Sequence, residues 1–156
     1  FKALLAGLGH TGVATLLNSG NAVFVAKGGS AARHAAAIAA ALHERLAVQV
    51  PVVVKTAREL AAIVAHNPLA ADAADASRLL VAFAPDAAAL AALAPVEALV
   101  EPPERFVIGA HAAYLHCPAG ILASRAGEAL LGKAGRGVTT RNWATTQKLH
   151  ALAAAA

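Results

Sequence analysis

Between Arg78 and Leu152, short runs of strand-forming residues alternate with capped helical segments in the order strand, helix, strand, strand, helix, strand. This order constrains the chain more than any other feature. A βαββαβ series closes into one antiparallel sheet, the ferredoxin-like arrangement or alpha-beta plait. The pattern predicts a strand over 78–84, a helix capped by Asp86 that runs through Leu90 and Leu93, a loop over 95–103 and a strand over 105–108. Gly109-Ala110-His111 turns the chain into a strand over 112–117, and a loop over 118–123 leads to Ser124, the cap of a helix to Ala134. A strand over 138–141 and a helix capped by Asn142 complete the series.

The first half reads as the same series without its opening strand. Leu4, Leu5 and Leu8 share one face of a helix that Gly9 stops. Apolar runs over 13–17 and 22–26 are joined by Asn18-Ser19-Gly20-Asn21, residues that tolerate the positive φ of a hairpin turn. Ser30 caps a helix over 31–46, with Ile38, Leu42 and Leu46 recurring every four residues. A strand over 48–55 follows, with Pro51 assigning it to an edge. Thr56 and Glu59 then form a capping box, and Asn67-Pro68 ends the helix they open. The alanine and aspartate of 70–76 lack periodicity and read as a linker. The expected fold class is α+β, with two ferredoxin-like units over 1–70 and 77–156 and antiparallel sheets. The chain has no methionine and opens inside a helical pattern, so its first unit is expected to lack an N-terminal strand.

Composition narrows the functions. Hydrophobic residues make up 58% of the 156, but most are alanine, which adds little core volume, so Leu, Ile, Val and four Phe carry the packing. No apolar run approaches the roughly 18 residues of a spanning helix, so no membrane role is expected. Phe1-Lys2-Ala3 does not open a signal peptide. Cys117 is the only cysteine, which excludes an internal disulfide and fits a cytoplasmic location. Residues 1–119 balance eight basic against eight acidic side chains, while 120–156 hold five basic residues and Glu128. The net charge of +4 therefore sits at the C-terminal end.

That end also carries the candidate site. In a βαββαβ unit the third and fourth strands end on one edge of the sheet, and each leads here into a helix N-terminus, which favours an anion. Gly120, Ser124, Arg125, Arg141 and Asn142 are the candidate ligand-binding residues: Gly120 for close backbone approach, Ser124 and Asn142 as caps, and the two arginines for charge-assisted bonds. The expected ligand is a small anion such as a nucleotide or phosphorylated metabolite, bound without catalysis. The competing assignment makes both motifs simple caps, with Trp143 in the core. Other constellations are weaker. His116 and Cys117 are strand neighbours that point to opposite faces, and Cys117 reads as structural. The seven histidines are scattered without metal-ligand spacing, so neither metal nor cofactor is expected. Gly7-Leu8-Gly9-His10-Thr11-Gly12 closes a helix instead of opening one, unlike a dinucleotide fingerprint. Lys27-Gly28-Gly29-Ser30 lacks P-loop spacing. Three further classes compete: single-stranded RNA binding, with Phe83 and Tyr114 on the central strands as stacking residues, protein interaction or self-association through the alanine-rich helices or an unpaired sheet edge, and an enzyme whose key residues lie in an N-terminal loop absent from this sequence.

Three segments carry a family resemblance: Ser19-Gly20-Asn21-Ala22-Val23-Phe24; Tyr114-Leu115-His116 with Pro118 and Gly120; and Thr139-Thr140-Arg141-Asn142-Trp143 with Thr145 and Lys148-Leu149. In this order they resemble a widespread bacterial family, domain of unknown function sixteen-ninety-seven. The resemblance implies a pair of ferredoxin-like units and no established activity, so it supplies no catalytic residues. The chain departs from the family pattern in lacking an opening strand with a glycine-rich Arg-Gly-Ile-Asn-Val-Gly-Gly loop. It also has Leu16 where Tyr is common, Asn18 for Gln, Arg125 for Lys and Ala144 for Asn.

Overall fold

The computed structural model describes residues 1–16 and 20–156; Asn18 and Ser19 of the expected hairpin turn lie outside the described residues. It is a mixed α+β chain with a two-stranded and a four-stranded antiparallel sheet. In chain order the elements are α1 (Lys2–Gly7), β1 (Thr11–Thr15), β2 (Ala22–Val25), α2 (Ala31–Leu46), α3 (Ala57–Ala65), β3 (Leu79–Phe83), α4 (Ala87–Ala91), β4 (Arg105–Ile108), β5 (Ala112–His116), α5 (Arg125–Leu131), β6 (Thr139–Asn142) and α6 (Trp143–Ala155). Short 3-10 turns occupy Ala70–Asp72, Ala76–Arg78, Ala94–Leu99 and Ile121–Ala123, all inside stretches expected to be loop, linker or strand end.

The helix starts follow from local chemistry. The side chains of Ser30, Thr56, Asp86, Ser124 and Asn142 each accept a hydrogen bond from the backbone N–H three residues on. Thr56 and Glu59 close the full reciprocal box, which satisfies two N–H groups that the helix leaves open. Burial pushes the Glu59 carboxyl up, but bonds from Thr56 and the charge of Lys55 outweigh it and hold the group below its ordinary range.

The four-stranded sheet has the order β4-β5-β3-β6. β3 lies antiparallel to β5 on one side, with Val81 opposite Tyr114, and to β6 on the other, with Val81 opposite Arg141. All five residues of β3 are buried, and they alternate between two cores. Leu80 and Ala82 face a core shared with Phe106, Leu115, Leu90, Leu93 and Leu130, which α4, α5 and the turn between α4 and β4 supply. Leu79, Val81 and Phe83 face the opposite core with Tyr114, Leu60, Ile63 and Trp143. This second face is covered by α6 and by α3, a helix from the first half of the chain. The Tyr114 hydroxyl donates to the Ile63 carbonyl across that core at 2.7 Å. Each buried leucine here stabilises the fold by roughly 1.5–3 kcal/mol.

In the first half, β1 and β2 pair as expected and pack against α1 and α2, with Leu4, Leu5, Ile38 and Leu42 at the centre. Leu46, expected on the buried face of α2, is 57% exposed. The strand expected over 48–55 does not form. Pro51 offers no N–H, and among the described residues no backbone hydrogen bond joins residues 49–55 to any other strand. The segment nevertheless keeps the alternation of a strand. Val52 and Val54 pack on the α1–α2 core, and Val53 packs on the α3–α6 core.

Candidate functional site

The ends of β5 and β6 lie against the start of β3, with Leu79 opposite His116 and Leu80 opposite Asn142. The strand ends that lead toward α5 and α6 are therefore neighbours, while the two helices pack on opposite faces of the sheet. The five candidate residues at that edge differ in what they are free to do. Ser124 is buried, and its hydroxyl accepts from the Gly127 N–H at 2.9 Å. Asn142 likewise accepts from the Thr145 N–H at 2.9 Å. Gly120 has φ +99°, a conformation that favours glycine. Arg125 is exposed and faces Glu101 at 3.7 Å.

Arg141 turns elsewhere. Its guanidinium is half-buried, which pulls its pKa down, and it bonds to four acceptors. Nε donates to Asn21 Oδ1 at 2.6 Å, and Nη2 donates to the Gly20 carbonyl at 3.0 Å. Nη1 donates to Thr139 Oγ1 and to the Thr140 carbonyl. The planar fork of arginine suits this divergent set. Gly20 sits at φ +74°, and a Cβ there would come within 3.2 Å of Nη2, so conformation and close approach both call for glycine. The Gly20-Asn21 turn of one half is thus fastened to β6 of the other. These are two of the three segments that carry the family resemblance.

Beside this clamp lies a cleft of about 940 Å³ between the two halves. β2 and residues 50–55 form its sides, α2 contributes His34, Ile38 and Leu42, and α6 contributes Leu149 and Ala153. Five of the eight exposed large hydrophobic side chains among the described residues line it: Phe1, Val25, Leu46, Val48 and Val50. Exposed apolar side chains thus converge on one concavity. Its only charged lining side chains among the described residues are the cations Lys55 and Arg141. At the α2 side the rings of His10 and Phe24 stack at 4.2 Å, and His34 Nε2 bonds the Gly28 carbonyl at 2.6 Å.

The remaining candidates have structural places. Cys117 is fully buried; burial pushes its thiol pKa up, while the Ser124 hydroxyl pulls weakly the other way. Phe83 and Tyr114, the stacking residues of the RNA reading, are both buried and offer no face to a base. Trp143 is buried in the α3–α6 core. Sequence reasoning missed the cleft and the destination of Arg141. The signal was present in two pieces, the Gly20-Asn21 turn and the Thr139–Arg141 run, but 120 residues separate Arg141 from Asn21, and neither piece names its partner.

Comparison with known proteins adds a family and a fold. The family described as protein of unknown function (DUF1697) matches residues 1–114. A conserved bacterial protein, SP0830 from Streptococcus pneumoniae, has a similar structure at TM-score 0.76 and 20% identity, over 97% of this chain and 86% of that one. No curated protein matches.

Proposed function

The chain belongs to the DUF1697 family of proteins of unknown function, and from that premise we propose that it is a non-catalytic binding module whose ligand occupies the cleft between the halves. The ligand is largely apolar and carries an anionic group. The observation that supports this is the concentration of exposed apolar side chains around a concavity whose charged lining residues are both cationic. The anionic character expected at the C-terminal end is kept, but its anchor moves from the Gly120–Arg125 edge to Lys55 and the rim of the Arg141 clamp. Ser124 and Asn142 are engaged as helix caps and Arg125 faces Glu101, while Lys55 itself pairs with Glu59 at 3.6 Å, so it is the apolar lining that ranks the cleft above that edge. On the same reading the first half is a ferredoxin-like unit with one position in its sheet open.

The test is thermal unfolding across a panel of apolar carboxylates, nucleotides, phosphorylated metabolites and short oligonucleotides. A ligand at about 100 times its dissociation constant stabilises the fold by about 2.7 kcal/mol, a shift of several degrees. An apolar acid is expected to give this shift with the native chain and not with Val50→Glu, a change at an exposed lining position. A shift that Val50→Glu leaves intact would move the ligand out of the cleft.

A further inference from the structure

The turn Ile121–Ala123 leads through Ser124 into α5. Ile121 packs inward on the core beneath the helix, and a Cβ on Gly127 would meet its side chain at 3.2 Å, so the turn is seated against the first turn of α5. What stays outside is a ridge at three-residue spacing: Leu122, Arg125, Glu128 and Leu131, all four exposed. Ala126, Gly127 and Leu130 between them are buried.

Two features set this ridge apart from ordinary surface. Among the described residues, three exposed large hydrophobic side chains lie outside the cleft, and two of them, Leu122 and Leu131, are the ends of the ridge. Leu122 is fully exposed and Leu131 is 57% exposed. The second feature is the order of the charges. Among the described residues Glu128 makes no ion pair, and Arg125 meets only Glu101 in its exposed contact. Laid antiparallel on a copy of itself, with the midpoint between Ala126 and Gly127 on a twofold axis, the ridge sets Leu122 on Leu131 at both ends and Arg125 on Glu128 twice between them. A parallel alignment would instead set arginine on arginine and glutamate on glutamate. The small residues at the midpoint let the two helices approach closely.

We propose that α5 is a self-association face, with this ridge packed antiparallel on the same ridge of a second copy of the chain. Four side chains from each copy make a small contact, so the dimer is weak and reversible. α5 covers one face of the four-stranded sheet and α6, which lines the cleft, covers the other. The dimer therefore leaves the cleft open, and the proposal stands apart from the binding-module reading.

The experiment is sedimentation equilibrium of the 156-residue chain at roughly 10 µM to 1 mM. The average mass is expected to rise with concentration from 15.5 kDa toward twice that value. Leu122→Glu sets a carboxylate against the apolar end of the other copy, and Arg125→Glu or Glu128→Arg opposes like charges. Each is expected to weaken association at least about tenfold, with urea midpoints close to the parent because all three positions are exposed. The double exchange Arg125→Glu with Glu128→Arg restores opposite charges across the axis and is expected to bring association back to within about threefold of the native chain. A mass that stays at 15.5 kDa throughout would overturn the proposal. So would a dimer that Leu122→Glu leaves intact, or a double exchange that associates as weakly as the single ones.

Discussion

Arg141 connects the two halves of the chain through a single side chain. Its four acceptors come from both halves, and two of them belong to the turn that also lines the cleft. Arg125, equally basic and also at an element end, meets only Glu101 in an exposed pair at 3.7 Å, and exposed pairs contribute little. The two arginines therefore separate in a denaturation experiment. Arg141→Ala is expected to cost about 2–3 kcal/mol through the loss of its charge-assisted bonds across the two halves, whereas Arg125→Ala stays within about 0.5 kcal/mol of the parent. Arg141→Lys should recover less than half of the loss, because an ammonium cannot reproduce the planar fork. Equal losses at the two positions, read from urea midpoints, would refute the clamp. The sequence marked both arginines as basic residues near helix starts, which was correct locally. What Arg141 bonds to depends on a contact across 120 residues, and no short pattern encodes that.

At the scale of elements, the caps were legible and the absence of a ladder at 48–55 was not, for one physical reason. A cap is completed within four residues, so Ser30, Thr56, Asp86, Ser124 and Asn142 could be read from their own neighbourhoods. A strand is completed only by its partner, and residues 49–55 have the alternation without the ladder. The Thr56–Glu59 box shows what such local chemistry contributes. Thr56→Ala is expected to cost about 1 kcal/mol at neutral pH. Glu59→Gln tests its charged part: the folded-state pKa of Glu59 lies below its unfolded value, so its stabilisation is present above the unfolded value, about 4.3, and is lost as pH falls through the folded one. The stability gap between parent and Glu59→Gln should therefore close in acid. A gap that persists at a pH below the folded value would assign it to packing instead.

For the whole molecule, the second face of the four-stranded sheet matters most. The order of strands was legible from residues 78–142, but the cover of that face was not, because α3 precedes the expected linker in sequence and packs beyond it. Leu60 and Ile63 on α3 share a core with Leu79, Val81 and Tyr114, which makes residues 70–76 a strap across one core. Cleavage of that strap should leave two fragments that elute together in gel filtration and part only in denaturant. Independent elution would show that the halves fold separately. The same contact has a consequence during synthesis. Ile63 leaves the ribosome 51 residues ahead of Tyr114, which at about 5–20 residues per second is a delay of roughly 3–10 seconds. For that interval the apolar face of α3 has no sheet to cover, and a chaperone that shields it would act on the first half of the protein while the second is still being made.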